Sequence, residues 1–238
     1  MRCGVVTFPG SNCDHDVYHV LKHVLSQQVG FLWHDKADLK GAELVVLPGG
    51  FAYGDYLRGG ALAALSPILE AVREHADNGG LVLGICNGFQ VLLESGLLPG
   101  ALRRNRSLRF ECRDVFVQVE RADTPWTEGY EEGRVLRLPI AHGEGNYVAS
   151  EADLEVLEET GRVVFRYCDT DGNVDEESAS NINGSQNAIA GIVSSEGNIL
   201  GMMPHPERCS EAILGNDDGL ALLATAVGAA TEVLGLSR

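Results

Sequence analysis

The chain has 238 residues, a formal net charge of −16, and 45% hydrophobic and 22% charged residues. That length can bury a sizeable core, and the apolar and charged fractions exclude wholesale disorder. The acidic balance argues against nucleic acid or an anionic membrane as a main partner, because both repel a negative surface.

In chain order, residues 3–7 (CGVVT) read as a buried strand, and Pro9-Gly10-Ser11-Asn12 as a turn with a helix cap. Val17, Val20, Leu21, Val24 and Leu25 recur at the spacing of an amphipathic helix. Short strands follow at Gly30–Trp33 and Leu44–Leu47, the second ended by Pro48-Gly49-Gly50. The pattern then predicts a helix over Ala61–Asp77, a strand at Leu81–Ile85, and a helix over Asn87–Ser95 stopped at Gly96. Strands apolar on both faces, alternating with helices, imply an α/β fold with a parallel sheet covered by helices. The second half carries predicted strands at Val115–Val119, Arg134–Pro139, Val163–Tyr167, Ile189–Val193 and Ile199–Met203. A last helix is expected from about Asp217 to Leu234. The acidic stretch Asp169–Ser180 misses the calcium-loop pattern and reads as a solvated loop. No repeat or linker divides the chain, so residues 1–238 are expected to form a single domain.

Six cysteines (Cys3, Cys13, Cys86, Cys112, Cys168, Cys209) are scattered without a C-x-x-C pair, which argues against a zinc or redox centre. No metal is expected. The N-terminal apolar run is too short for a signal peptide, and no stretch approaches the ~18 apolar residues of a membrane span. The Asn-x-Ser sequences at Asn105 and Asn183 are therefore read as chance, and a cytoplasmic location is expected.

Three segments carry chemistry. Gly84-Ile85-Cys86-Asn87-Gly88-Phe89-Gln90 has the G-x-nucleophile-x-G form of a strand-to-helix elbow, with cysteine as the nucleophile. An isolated cysteine is more often a small buried hydrophobe. Here the elbow sets it at a helix N-terminus, which favours the reactive thiolate. In Met203-Pro204-His205-Pro206-Glu207 the prolines favour extended backbone, so His205 and Glu207 are expected to project together as base and orienting carboxylate. Alone, that segment would read as a turn. Leu47-Pro48-Gly49-Gly50-Phe51 ends the strand expected beside the elbow, where Gly50 and Asn87 N–H groups would face an oxyanion. Together they describe acyl transfer through a thioester.

G-x-C-x-G-x-Q followed far downstream by H-P-E resembles the class I (triad) glutamine amidotransferases. Further segments narrow the likeness: Thr7–Asp14 (TFPGSNCD), Pro48–Arg58 (PGGFAYGDYLR), Gly96–Leu102 (GLLPGAL), Ala141–Gly145 (AHGEG) and Met203–Arg208 (MPHPER). The set is similar to the glutaminase-subunit family of phosphoribosylformylglycinamidine synthase, across essentially the whole chain. The resemblance implies a three-layer, flavodoxin-like, mostly parallel sheet with helices on both faces. It also implies Cys86 as nucleophile, His205 as general acid/base and Glu207 as its partner. Gly50 and Asn87 would serve the oxyanion, and Gln90, His142 and Gly143 would help hold L-glutamine, the His142 segment through shape and backbone.

The same likeness implies no cofactor in this chain, with ATP and magnesium used by a separate synthetase subunit on formylglycinamide ribonucleotide, and a small third subunit completing the complex. No G-x-x-x-x-G-K-[ST] phosphate loop occurs in the chain, consistent with that division. Two alternatives stand beside this reading. One is a DJ-1/PfpI-like protein, although Asn87 rather than histidine follows the cysteine. The other is a non-catalytic regulatory subunit, although all three triad residues are present.

Overall fold

The computed structural model describes residues 1–228. Strand β1 (Arg2–Thr7) leads into α1 (Asp14–His19), whose end widens into a π-helical turn at Val20–Val24. β2 (Gln28–Trp33) and β3 (Leu44–Leu47) follow, then α2 (Ile68–Asp77). β4 (Leu81–Ile85) turns at Cys86 directly into α3 (Asn87–Glu94). The second half runs β5 (Ala101–Arg103), β6 (Glu111–Val119), β7 (Val135–His142), β8 (Asn146–Val148) and α4 (Glu151–Glu159). It finishes with β9 (Val163–Cys168), β10 (Ile189–Val193), β11 (Ile199–Met202) and α5 (Leu220–Ala226).

Nine strands form one sheet in the order β2-β1-β3-β4-β11-β10-β9-β6-β7. The first five run parallel, and the remaining four join by antiparallel pairing. From β1 to β2 the chain steps one way across the sheet, and from β3 to β4 the other way. Right-handed crossovers therefore put α1 and α2 on opposite faces, giving three layers. One apolar cluster joins Val5 and Val6 of β1, Leu44 to Leu47 of β3, Val82 and Leu83 of β4, Phe165, Ile192 and Leu222. Among the described residues no helix is long and apolar enough to cross a membrane.

Register decides where the chemistry gathers. Leu47 pairs with Gly84, and Ile85 with Met202, so β3, β4 and β11 end together on one edge. The segments after them, Gly49-Gly50, Cys86 and His205, emerge side by side at the carboxyl edge where open α/β sheets bind ligands.

Several local expectations change. The helix expected from Ala61 begins at Ile68, because Ser66 before Pro67 is held extended at φ −72, ψ 142. The last helix begins at Leu220 instead of Asp217, since Asp217 forms the preceding turn through its carbonyl, and the expected stretch from 229 to 234 lies outside the described residues. Helix α4 has no counterpart among the predicted elements, although Ser150 caps it by accepting from Asp153 N at 3.1 Å. β5 and β8 are short strands that pair only with each other. Pro139 lies within β7, the outer strand of the sheet, where a missing N–H is tolerated. Its carbonyl accepts from His205 N at 2.8 Å and ties that strand to the site.

Helix α3 settles against the sheet through glycine. A Cβ on Gly88 would lie 1.9 Å from the Leu47 carbonyl oxygen, and one on Gly84 would lie 2.4 Å from Leu92 Cδ1. Gly88→Ala should therefore push α3 off β3 and cost about 3 kcal/mol in urea unfolding. A variant within about 0.5 kcal/mol of the parent would contradict this packing.

Candidate active site

Cys86 sits at φ 51, ψ −105, outside the regions that side chains favour. The conformation is over-determined by its surroundings. Its N–H donates to Met202 O at 2.8 Å in β11, and its carbonyl accepts from Gln90 N at 3.1 Å in α3. The thiol is 4% exposed and lies 3.7 Å from Ala141 O, with α3 starting at the next residue. Among the described residues no acceptor takes the N–H of Asn87 or of Gly50. Gly50 is held at φ 148 by the bridge between the Ser11 and Gly50 segments. Two free backbone donors thus flank the sulfur's edge of the sheet.

His205 and Glu207 do project together, but not as an extended pair: Pro206–Arg208 is a 3-10 turn. That turn brings Glu207 Oε1 to 2.6 Å from His205 Nδ1, with both side chains essentially buried. Nδ1 is taken, so Nε2 is the nitrogen left for Cys86. Burial opposes charging the ring, but the Glu207 carboxylate and the sulfurs of Cys86 and Cys13 outweigh it and hold His205 well above the ordinary imidazole range.

Cys13 is a site residue that the sequence pattern did not reveal. Its Sγ accepts from Arg208 Nη2 at 2.8 Å and adjoins His205. Burial pushes the thiol up, while His205 pulls it down.

The His142–Gly145 segment is clamped by three buried side chains. Asn105 Nδ2 donates to the carbonyls of Arg109 and His142, each at 2.9 Å. That orientation leaves Asn105 Oδ1 to accept from Gly145 N at 3.0 Å and from His142 Nδ1 at 3.1 Å. His142 Nδ1 therefore carries the proton, and Nε2 is a bare acceptor, buried without a partner. Asn183 Nδ2 and Ser185 Oγ both donate to Gly145 O. Asn105 and Asn183, the asparagines of the two Asn-x-Ser sequences, are 0% exposed and hold this loop. The carbonyl of Gly143 accepts from Asn105 N at 2.9 Å.

Asn87 and Gln90 lock the opposite wall. Asn87 Oδ1 accepts from Ala52 N at 3.0 Å, and its Nδ2 donates to Asp55 at 3.1 Å and to Gln90 Oε1 at 2.7 Å. Gln90 Nε2 donates to Glu144 O at 2.9 Å, joining α3 to the His142 loop. Burial, reinforced by Glu144, pushes Asp55 up to about 6. Asp169–Ser180 folds as turns around Asp169, which accepts from Asp171 N and Asn173 N at 2.9 Å. None of its acids joins a metal-type grouping among the described residues.

His142 behaves oppositely to His205. Burial, with the nearby His205, pushes it down to about 3. Unfolded, it would take up a proton near its ordinary value of about 6.5. Between about pH 6.5 and 3 the unfolded state alone binds that proton, so stability falls with pH by up to about 1.4 kcal/mol per unit. His142→Gln is expected to flatten the slope of unfolding free energy against pH between 6 and 4. An unaltered slope would rule out a buried neutral imidazole.

Known proteins share this architecture. A family model described as a CobB/CobQ-like glutamine amidotransferase domain matches residues 1–217. The chain is 56% identical over 234 residues to phosphoribosylformylglycinamidine synthase subunit PurQ of Gloeobacter violaceus, covering 98% of this chain and 100% of that one. It is also 56% identical over 227 residues to the PurQ subunit of Moorella thermoacetica, covering 95% of each. The structure of PurLQS from Thermotoga maritima matches with a TM-score of 0.83 at 42% identity, covering 95% of this chain and 97% of that chain. These likenesses decide against a DJ-1/PfpI-like protein. The chain belongs to the CobB/CobQ-like glutamine amidotransferase family and, within it, to the PurQ subunits of phosphoribosylformylglycinamidine synthase.

Proposed function

We propose that this chain is the glutaminase subunit of a phosphoribosylformylglycinamidine synthase, with Cys86, His205 and Glu207 as its catalytic triad. The reading rests above all on a strained cysteine at a helix N-terminus beside a buried His205–Glu207 pair bonded at 2.6 Å. Deprotonated Cys86 Sγ attacks the side-chain amide carbon of glutamine. The N–H groups of Gly50 and Asn87 receive the oxyanion as it forms. Collapse breaks the C–N bond, and His205 gives the leaving nitrogen its proton, releasing ammonia and leaving a glutamyl thioester. His205 then takes a proton from water as it attacks, and glutamate departs. Glu207 holds the ring in the tautomer that this shuttle needs.

His142, Gly143 and Gln90 hold the glutamine, with the clamped loop giving the substrate a rigid wall. Asp55 and Glu144 place negative charge at that wall, which suits an α-ammonium group. The chain itself needs no cofactor or metal for this hydrolysis. Ammonia passes to the synthetase subunit, which with ATP and magnesium converts formylglycinamide ribonucleotide to formylglycinamidine ribonucleotide in purine biosynthesis. A small third subunit completes the assembly. Phe51 and Phe110 stack with centroids 6.3 Å apart at the site's rim, and with Tyr56, Leu57 and Leu108 they leave apolar surface exposed. Such a rim suits cover by a partner. The sheet and core, continuous through the described residues 1–228, support reading the chain as one amidotransferase domain. Six cysteines, none in a disulfide, support a reducing, cytoplasmic location.

In the reconstituted complex, Cys86→Ala is expected to abolish glutamine-dependent synthesis while ammonia-dependent synthesis continues. Glu207→Gln should lower glutaminase kcat by about 10²- to 10⁴-fold. Glutamine-dependent turnover in Cys86→Ala would overturn the triad assignment. Co-purification with a synthetase for another acceptor would overturn the pathway.

A further inference from the structure

Cys13 is a buried thiol that the proposed hydrolysis does not use. Its Sγ, one imidazole nitrogen of His205 and one Glu207 carboxylate oxygen all lie within 4.8 Å of one another, and all three residues are buried. Among the described residues no other His, Cys, Asp or Glu side chains form such a group. Thiolate, imidazole and carboxylate are the donors that zinc takes, at about 2.0–2.3 Å. Glu207 has coordinating capacity to spare, because its Oε2 is buried and bonds to nothing, and Oε1 already lies on the Nδ1 side of the His205 ring.

Packing and charge favour a cation here. A Cβ on residue 49 would lie 2.6 Å from His205 Cε1 and 3.0 Å from Cys13 Sγ, so glycine there lets the ring and the thiol share one space. A thiolate and a carboxylate together balance a divalent ion, and the adjoining Arg208 has Asp16 as its own counter-charge. Arg208, which now donates to Cys13, is not stranded when a metal takes the sulfur, because its Nε also reaches Asp16 at 3.3 Å.

We propose that Cys13, His205 and Glu207 form a zinc site that switches the glutaminase off. Zinc forms bonds to sulfur, imidazole nitrogen and carboxylate oxygen. The Cys13 thiol proton, and the proton shared by His205 and Glu207 where zinc replaces it, leave to solvent. The captured imidazole can no longer carry a proton between Cys86 and the leaving group. Binding follows from the geometry alone, whereas inhibition rests on the catalytic roles proposed above.

The test titrates zinc against a chromophoric chelator, using the full chain with the exposed Cys112 replaced by serine in every form. Wild type and Cys86→Ser are expected to bind one zinc each, with Cys13→Ser and Cys13→Ala at least tenfold weaker and magnesium not competing. Far-UV circular dichroism selects whichever of Cys13→Ser and Cys13→Ala keeps the native fold, and the tenfold weaker binding is read on that variant. In the synthase complex, zinc should inhibit glutamine hydrolysis reversibly by chelation. Cys13→Ser should need at least tenfold more zinc for the same fractional loss of its own basal rate. Equal binding by the Cys13 variants, or loss of binding in Cys86→Ser, overturns the site. Tight binding without inhibition overturns the switch. Neither result touches the triad assignment, which fails separately if Cys86→Ala keeps glutamine-dependent turnover.

Discussion

The arrangement depends on holding one cysteine where cysteine does not sit of its own accord. Backbone at φ 51, ψ −105 costs on the order of 1–3 kcal/mol and persists only when its surroundings insist. Here β11 takes the Cys86 N–H and α3 takes its carbonyl, while Gly84 and Gly88 let α3 press onto β3 and β4. A side chain at either glycine would lift the helix and remove the constraint. The strain turns the sulfur out at the end of β4, at the first turn of α3. Because β11 is the parallel neighbour of β4, the segment that follows it delivers His205 to the same edge.

Two buried histidines near that sulfur show how context sets charge. Both are nearly inaccessible, and burial by itself disfavours the imidazolium in each. Glu207 and two cysteine sulfurs reverse this for His205. His142 faces a neutral amide and its charged neighbour, so it stays neutral. Their linkage to folding runs in opposite directions. The stability that His205 contributes is full below about pH 6.5 and is lost as pH rises through its raised folded value; that of His142 is lost as pH falls below about 6.5. A histidine that favours its charged form and one fixed as a neutral acceptor therefore arise from the same residue type.

Much of the fold was legible locally. Strands such as LVVL at Leu44–Leu47 are apolar throughout and bounded by glycine and proline, so pattern and punctuation agree. Elements that fail this test were missed: β5 and β8 are three residues each and exist only because they pair with one another. The polar helix α4 has one buried side chain, Leu157, and so little apolar periodicity to detect. The capping serine was its available signal. The start of α2 was hidden in a helix-forming stretch, and Pro67 was the residue that should have marked it.

The order of the longer strands and of helices α1 to α3, the elbow and the nearness of His205 to Glu207 were determined by the sequence itself, because each is a property of neighbouring residues. Tertiary structure decided what surrounds them. Cys13 meets Arg208 across 195 positions, and Asn105 meets His142 across 37. Asn105 and Asn183 carry nothing in sequence beyond a chance Asn-x-Ser context, yet they are fully buried and clamp the loop beside the thiol. A buried polar group must find its partners wherever the fold brings them, and nothing in its immediate sequence records which segment that is.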